Sequence, residues 1–347
     1  MTETNDVRTE RPVAAVFGNG QSLGVGSLPH RDAQAAASFA FGEFGVATVP
    51  ALPRRSPAES MIVQALIGMP GVSTGPYGSI AVDPARAADD AAIETDLGGD
   101  AFVGLDAFCD LARRLGHDGS PVKWQFVGPV TLGVALRRAG LDEEQAFEVA
   151  LRTVREHLTA MSSALGDALP ASPQMVVLDE PALDELMSEE FPVPPDEAVD
   201  KISGAMAVLP AATVRGVHCS GAVDLATMLS SGPSVISIAA EPRVAEWAGY
   251  LARYLDEGGL VAWGVLPSGG PVPMSAGRAW RRLSDLWCDL VQRGCDPVRL
   301  RRQAMITPTT GLGSHSVSVA RRLARITADV AKQVADQANA TRFALGA

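Results

Sequence analysis

The sequence is poor in several residue types, and each shortage narrows the kind of protein that it can encode. Only three of its 347 residues are lysine, and the formal net charge is −11. An acidic balance without a basic stripe argues against a nucleic-acid-binding surface. The four cysteines form no C-x-x-C pair. This pattern is typical of a cytoplasmic protein with reduced thiols.

Long hydrophobic runs are also missing. No uninterrupted apolar stretch approaches the roughly 20 residues that span a bilayer. The polar start, residues 1–12, has no apolar core of the kind that a signal peptide contains. We therefore expect a cytoplasmic protein with a small-molecule ligand, and neither a membrane nor a nucleic-acid partner. We also expect residues 1–19 to form a flexible tail and residues 20–347 to form one domain.

The chain does contain a regular alternation of short apolar runs and segments with helical spacing. The eight runs predicted to be strands are Ser22–Pro29, Val46–Leu52, Val122–Gly128, Gln174–Leu178, Val214–Ser220, Val235–Ala240, Leu260–Leu266 and Gln303–Ile306. Continuous apolar strands indicate a parallel sheet that is covered by helices on both faces. Eight such units predict an α/β fold of the (β/α)8 TIM-barrel type, with an inserted excursion after the second strand at Gly68–Val82. An open doubly wound sheet is the alternative, but no G-x-G-x-x-G motif follows the first strand.

Short motifs stand where predicted strands end, and in a barrel these ends meet at one mouth. They are Gly26–Pro29 (GSLP), Gly128–Leu132 (GPVTL), Asp179–Leu183 (DEPAL), His218–Ser220 (HCS) and Thr307–Leu312 (TPTTGL). In this order they resemble the catalytic C-terminal half of cobalamin-independent methionine synthase, in its short single-domain form. The resemblance covers residues 20–340. It implies the barrel superfamily shared with uroporphyrinogen decarboxylase, and transfer of a methyl group to the thiol of homocysteine, which zinc holds as a thiolate.

The resemblance also implies an amino-acid site. Asp179 matches the position that holds the amino group of homocysteine, and it is the residue that we expect to be both catalytic and substrate-binding. Ser27 matches a contact to the amino-acid carboxylate, and Glu59 is the nearest carboxylate to a glutamate that also touches the amino group. Two structural alternatives stay open, a helix cap for Asp179 and a tight corner for Ser27. We expect Glu180 to point elsewhere, and pairing with a barrel arginine or lysine is the structural alternative that stays open for it. One of Lys123 and Trp124 should point into the barrel, where the lysine could pair with Glu180 or Asp179.

A zinc site is implied with an altered set of ligands. The candidate ligands in this sequence are His218, Cys219 and Glu241. Three positions that hold ligands in the family align instead with Ser220, Ala239 and Thr310. Neighbouring residues of a strand face opposite ways, so His218 and Cys219 cannot both face the mouth without a bulge. The catalytic histidine of the family, in the loop after the seventh strand, has no counterpart in residues 266–270.

These observations predict a methionine-synthase-like S-methyltransferase that acts on homocysteine or a similar small thiol. Because the N-terminal half of the long enzymes has no counterpart, we expect the methyl donor to be a corrinoid protein or a small molecule, and not a polyglutamyl folate. One alternative is a metal-free amino-acid-binding or catalytically altered homologue. Another is a decarboxylase-like enzyme that binds carboxylates through Arg31, Arg54 and Arg55. We expect His117 and His157 on the surface.

Overall fold

A computed structural model describes residues 16–75, 79–87, 93–266 and 275–344, with side chains described as far as residue 339. The first fifteen residues of the predicted tail lie outside this part. The strands are β1 (Gln21–Ser22), β2 (Ala47–Thr48), β3 (Val72–Thr74), β4 (Ile80–Val82), β5 (Val122–Val127), β6 (Gln174–Asp179), β7 (Val214–Cys219), β8 (Val235–Ala239), β9 (Leu260–Gly264) and β10 (Ala304–Thr307).

Eight of these strands form one parallel sheet in the order β1-β10-β9-β8-β7-β6-β5-β2. Parallel bridges from Leu23 to Val46 and from Ser27 to Ala51 connect the two end strands, β1 and β2. The sheet therefore curls into a TIM-barrel-like structure, as predicted. Strands β3 and β4 pair antiparallel outside the barrel, which confirms the excursion after the second strand.

Strands β1 and β2 are much shorter than the apolar runs that predicted them. Gly26 has φ +152°, and a Cβ atom there would lie 2.2 Å from Cδ of Gln125. Pro29 and Pro50 lack the N–H group that a strand ladder needs. The segments that follow β1 and β2 pair through the isolated bridge from Ser27 to Ala51, and they form one side of the barrel mouth.

Helices follow the strands and cover the sheet. They are α1 (Ala33–Glu43), α2 (Met61–Ala65), α3 (Pro84–Ala87), α4 (Val103–Leu115), α5 (Pro129–Arg138), α6 (Glu143–Ala168), α7 (Pro195–Met206), α8 (Leu225–Ser230), α9 (Ala248–Asp256), α10 (Ala276–Gln292), α11 (Pro297–Arg302) and α12 (Val317–Ala344). Side-chain caps explain several starts: Asp142 accepts a 3.0 Å hydrogen bond from the Gln145 amide at the start of α6. Within the described residues, we find no helix with the length and apolar character of a membrane span.

The expectation that His157 lies on the surface is wrong. Its side chain is 0% exposed on α6. Its Nε2 lies 3.1 Å from the carbonyl oxygen of Ala65 and its Nδ1 lies 2.8 Å from the hydroxyl of Thr95. Burial lowers the pKa of His157 to about 4, so the ring is neutral. Its two hydrogen-bond partners lie more than sixty positions earlier in the chain, so no local pattern reveals them.

Candidate functional site

A cavity of about 310 Å³ opens where the strands end at the carboxyl side of the barrel. Polar side chains from distant parts of the sequence line it together: Ser27, Glu59, Gln125, Asp179, His218, Ser220 and Thr310. The rest of the lining is mostly apolar, and none of the described lysine or arginine residues contributes to it. Enzymes with this fold place their active sites at this end of the barrel.

Asp179 is the last residue of β6 and faces the cavity. Its Oδ1 atom is buried and has no hydrogen-bond donor among the described residues. Burial raises the pKa of this carboxyl group, and the nearby Lys123 ammonium opposes the rise. The short 3-10 helix that follows, Pro181–Asp184, has no side-chain cap, so Asp179 does not act as a helix cap. An unpaired carboxylate oxygen in a cavity is suited to accept a hydrogen bond from an ammonium group.

Lys123 lies below the cavity, inside the barrel, and is 1% exposed. Its ammonium donates to the carbonyl oxygen of Val25 and to Oε1 of Gln125, which is 2.9 Å away. Trp124 points outward and donates to Oε1 of Gln174 over 3.0 Å. The lysine, and not the tryptophan, therefore faces the interior. Burial lowers the pKa of Lys123, and the Asp179 carboxylate opposes this fall.

Glu59 is the second carboxylate that lines the cavity, and it is 1% exposed. Its Oε1 accepts a 2.6 Å hydrogen bond from Nε of Arg55, and its Oε2 accepts a 3.0 Å bond from the Leu52 amide. Burial raises the pKa of Glu59, and the pairing with Arg55 counteracts that rise. Arg55 also contacts Asp100 at 2.8 Å. The ion pair of Arg55 and Glu59 closes one side of the barrel mouth.

Ser27 connects the end of β1 to the loop after β10. Its carbonyl oxygen accepts a 2.8 Å hydrogen bond from the Leu312 amide, and its hydroxyl lies 3.4 Å from the amide of Gly313. A Cβ atom on Gly311 would lie 2.0 Å from the Ser27 hydroxyl oxygen, so glycine is needed at this close approach. Ser27 therefore lies in close contact with the loop after β10, and its side chain also lines the cavity.

His218, at the end of β7, pairs in register with Asp179 on one side and with Ser237 on the other. Its Nδ1 lies 2.8 Å from the Ser237 hydroxyl oxygen. Burial, and next the charge of Lys123, lower the pKa of His218 to about 4, so the imidazole is neutral at pH 7. Cys219 is also buried but belongs to the apolar layer with Val217. Burial raises the pKa of the Cys219 thiol to about 11.

The other candidate metal ligands do not join His218. The Glu241 side chain is 49% exposed and pairs with Arg243 at 2.9 Å. Ser220 and Thr310 line the cavity but offer only neutral hydroxyl oxygens, which are poor zinc ligands. Across the described ranges, histidine, cysteine and acidic side chains form no group of three that could hold a metal ion. These residues therefore do not fit a zinc site. Residues 267–274, which include most of the loop after β9, lie outside the described part.

Glu180 connects two of the sequence motifs. It is fully buried, and its two carboxylate oxygens accept hydrogen bonds from the amides of Val130, at 2.9 Å, and Thr131, at 2.7 Å, in the first turn of α5. Its own amide donates to the carbonyl oxygen of His218 over 2.8 Å. Glu180 thus pairs with the N-terminus of α5 and not with an arginine or lysine. A helix N-terminus favours a negative charge on the carboxyl group. Burial nevertheless raises the pKa of Glu180 to about 7.

No known protein-family profile matches this chain, and no curated protein matches its sequence. Solved structures do match. A B12-independent methionine synthase from Shewanella sp. W3-18-1, in complex with selenomethionine, superposes with a TM-score of 0.58 at 14% identity over 89% of each chain. A putative B12-independent methionine synthase from Listeria monocytogenes gives 0.55 at 14% identity, covering 87% of this chain and 85% of the other. A methyltransferase from Methanosarcina mazei gives 0.52 at 18% identity, covering 87% and 83%. At these identities, what the chain shares with all three is the fold.

Proposed function

We propose that this protein is a methyltransferase that transfers a methyl group to the thiol of homocysteine or of a similar small amino acid. The observation that carries the proposal is the meeting of Ser27, Glu59 and Asp179 in one cavity at the carboxyl ends of the strands. The similarity in fold to methionine synthases and a methyltransferase supports the same class of reaction.

The polar groups suit the two ends of an amino acid. Asp179 has a buried oxygen that receives no hydrogen bond from the described residues, and an ammonium group would supply that bond. Ser27 offers a hydroxyl to the carboxylate, and Glu59 adds a negative charge near the ammonium. When the sulfur attacks the methyl carbon, a sulfur–carbon bond forms while the bond between the methyl carbon and the donor breaks. The electron pair of that bond leaves with the donor, and the thiol proton must also leave. His218 lines the cavity as a neutral imidazole and can accept that proton in transit. Because burial lowers its pKa to about 4, His218 is a weak base and passes the proton on to solvent.

No step of the proposed methyl transfer is assigned to zinc. In the enzymes that the sequence resembles, a metal would deprotonate the thiol outright. Here only His218, among the predicted ligands, has its side chain at the cavity. Metal analysis of protein purified without chelators tests the zinc prediction directly. Stoichiometric zinc that is lost in His218→Ala would assign the metal to this mouth.

The decarboxylase-like alternative is disfavoured by two of its three candidate arginines, Arg54 and Arg55. Arg54 donates to the carbonyl oxygen of Ser314, and Arg55 is engaged by Glu59 and Asp100. Neither lines the cavity, so a ligand with several carboxylates would meet Asp179 and Glu59 without a compensating cation. The other alternative is a metal-free amino-acid-binding homologue, which would bind the same ligand without transferring a methyl group. Binding of the amino acid without methyl transfer would favour this alternative.

The experiment is calorimetric titration of the purified protein with L-homocysteine and with L-methionine. We expect one site in the wild type and at least about tenfold weaker binding in Asp179→Asn, because a charge-assisted hydrogen bond contributes about 1.5–3 kcal/mol. Asp285→Asn is the matched control, since this exposed aspartate lies on α10 and not at the cavity. The proposal fails if neither amino acid binds. The methyl donor, a corrinoid protein or a small molecule, is then identified by which of them methylates bound homocysteine.

A further inference from the structure

We propose that Lys123 is a specificity-determining residue, whose positive charge behind Asp179 makes the cavity prefer a zwitterion over a cation that carries the same thioether. The inference rests on the proposed function, because it takes an amino acid as the ligand. It assigns a role to a buried charged group that the proposed reaction does not use.

The position of Lys123 is set by contacts on both sides of the site. Its ammonium donates to the carbonyl oxygen of Val25, two residues before Ser27, and to Gln125. Gln125 lines the cavity, whereas Lys123 does not. Asp179 extends from the neighbouring strand β6 and is the charged group that most affects Lys123. Lys123 thus lies under the cavity floor, between the residue proposed for the ammonium and the segment that carries Ser27.

The charges around the cavity balance. Each carboxylate of the lining has one cation behind it: Lys123 for Asp179, and Arg55 for Glu59. Arg55 also pairs with Asp100, but that carboxylate is exposed to solvent and does not line the cavity. Neither cation lines the cavity. An ammonium group can therefore reach the carboxylates directly, while the two cations act from behind. A ligand without net charge keeps this balance, but a pure cation adds an uncompensated positive charge to a region of low dielectric constant.

The other titratable groups near Asp179 do not change the balance of charges around the cavity. His218 is neutral at pH 7 because burial lowers its pKa. The Glu180 carboxyl group is directed to the amides of Val130 and Thr131. Burial raises its pKa to about 7, and the first turn of α5 compensates the charge that it carries at pH 7. Lys123 is therefore the cation whose removal should alter the preference of the cavity most directly.

The test compares two ligands on two proteins by calorimetry at pH 7. L-methionine carries an ammonium and a carboxylate, whereas 3-(methylthio)propylamine keeps the thioether and the ammonium but lacks the carboxylate. We expect the wild type to bind methionine at least about tenfold more tightly than the amine. In Lys123→Met, which keeps an apolar stem of similar length, the amine should bind more tightly than it binds the wild type. The preference for methionine should fall by about tenfold.

A purely structural role of Lys123 would weaken both ligands together and leave their ratio unchanged, and that result would overturn the proposal. Lys332→Met is the control, because this lysine is exposed on α12, and its ratio should match the wild type. If Lys123→Met does not fold, the wild type alone decides: equal affinity for the amine and for methionine overturns the proposal. Absence of methionine binding to the wild type overturns the proposed function as well, whereas binding with an unaltered ratio overturns only the role of Lys123.

Discussion

At the scale of single residues, the cavity brings charged side chains into an environment that opposes their charge. Lys123, Asp179 and Glu180 are all held away from bulk water, and in each of them burial is the largest cause of the pKa shift. Opposite charges or hydrogen bonds then counteract burial without cancelling it. Perturbed groups of this kind concentrate in functional sites.

Lys123 can be observed directly because the chain has only three lysines. In protein labelled with ¹³C at the lysine ε-carbons, we expect three NMR signals, of which one titrates well below the other two. Burial lowers the pKa of Lys123 from 10.5 to about 8. The low-titrating signal should disappear in Lys123→Met and stay in Lys332→Met. Three signals that titrate together would contradict the buried charge.

Cys219 should affect stability and not ligand binding. Its side chain is 0% exposed within the apolar layer, on the opposite face of β7 from His218. Cys219→Ala removes a buried sulfur and should lower the free energy of unfolding by about 1 kcal/mol, because a small void remains. Urea unfolding measures this change, and methionine calorimetry should give the wild-type affinity. A loss of bound metal or ligand at unchanged stability would instead return Cys219 to the site.

At the scale of secondary-structure elements, the GPVTL and DEPAL motifs act as one unit. Glu180, at the end of β6, satisfies two amides at the start of α5 that have no partner within the helix. Gly128 allows this approach, since a Cβ atom there would lie 2.1 Å from Oε1 of Glu180. The adjacent strand ends that carry Asp179 and His218 are thereby held together.

Glu180→Gln should change how stability depends on pH. Burial raises the pKa of Glu180 from 4.5 to about 7, so the folded protein keeps this proton over a range in which the unfolded chain has lost it. The free energy of unfolding of the wild type should therefore fall as pH rises from about 4.5 to about 7, by an amount on the order of 3 kcal/mol from this group, and then level off. Glu180→Gln has no titrating group at this position and therefore lacks this pH-dependent contribution to the free energy of unfolding. Urea unfolding of both proteins at several pH values tests it, and a stability difference that does not vary with pH would contradict it.

Two glycine substitutions should have opposite effects. Gly128→Ala forces a methyl group onto the Glu180 carboxylate and should lower the free energy of unfolding by about 1–3 kcal/mol. At Gly42, in α1, a Cβ atom would meet no atom within 4 Å. Gly42→Ala should therefore raise the stability by about 0.5–1 kcal/mol through helix propensity. Thermal unfolding of the two variants provides the comparison, and equal effects would refute the close packing at Gly128.

At the scale of the whole molecule, the fold could be predicted because continuous apolar strands repeat with helices between them. The eight predicted strands match the sheet, although β1 and β2 are shorter than their apolar runs predict. The GPVTL motif alone does not reveal helix α5, whose first turn is completed by Glu180, fifty positions away in sequence. The same reason explains why the roles of Glu180 and His157 could not be read from local pattern. Which of Lys123 and Trp124 faces inward was also undecided, because both are large and adjacent on one strand.

The candidate site could be predicted in part. The motifs pointed to strand ends, and Ser27, Glu59, Asp179 and His218 do line one cavity. Whether the side chains of Cys219 and Glu241 face the cavity depends on which residues of β7 point inward and on the residue at which β8 ends. These details change which way a side chain points without changing the apolar pattern of the sequence.

The most direct test is a crystal structure of the protein with selenomethionine soaked into crystals of unlabelled protein. Anomalous scattering locates the selenium independently of the rest of the ligand. The account predicts selenium in the barrel-mouth cavity and the ligand nitrogen about 3 Å from a carboxylate oxygen of Asp179. Selenium in another part of the molecule, or a nitrogen that points away from Asp179, would contradict it.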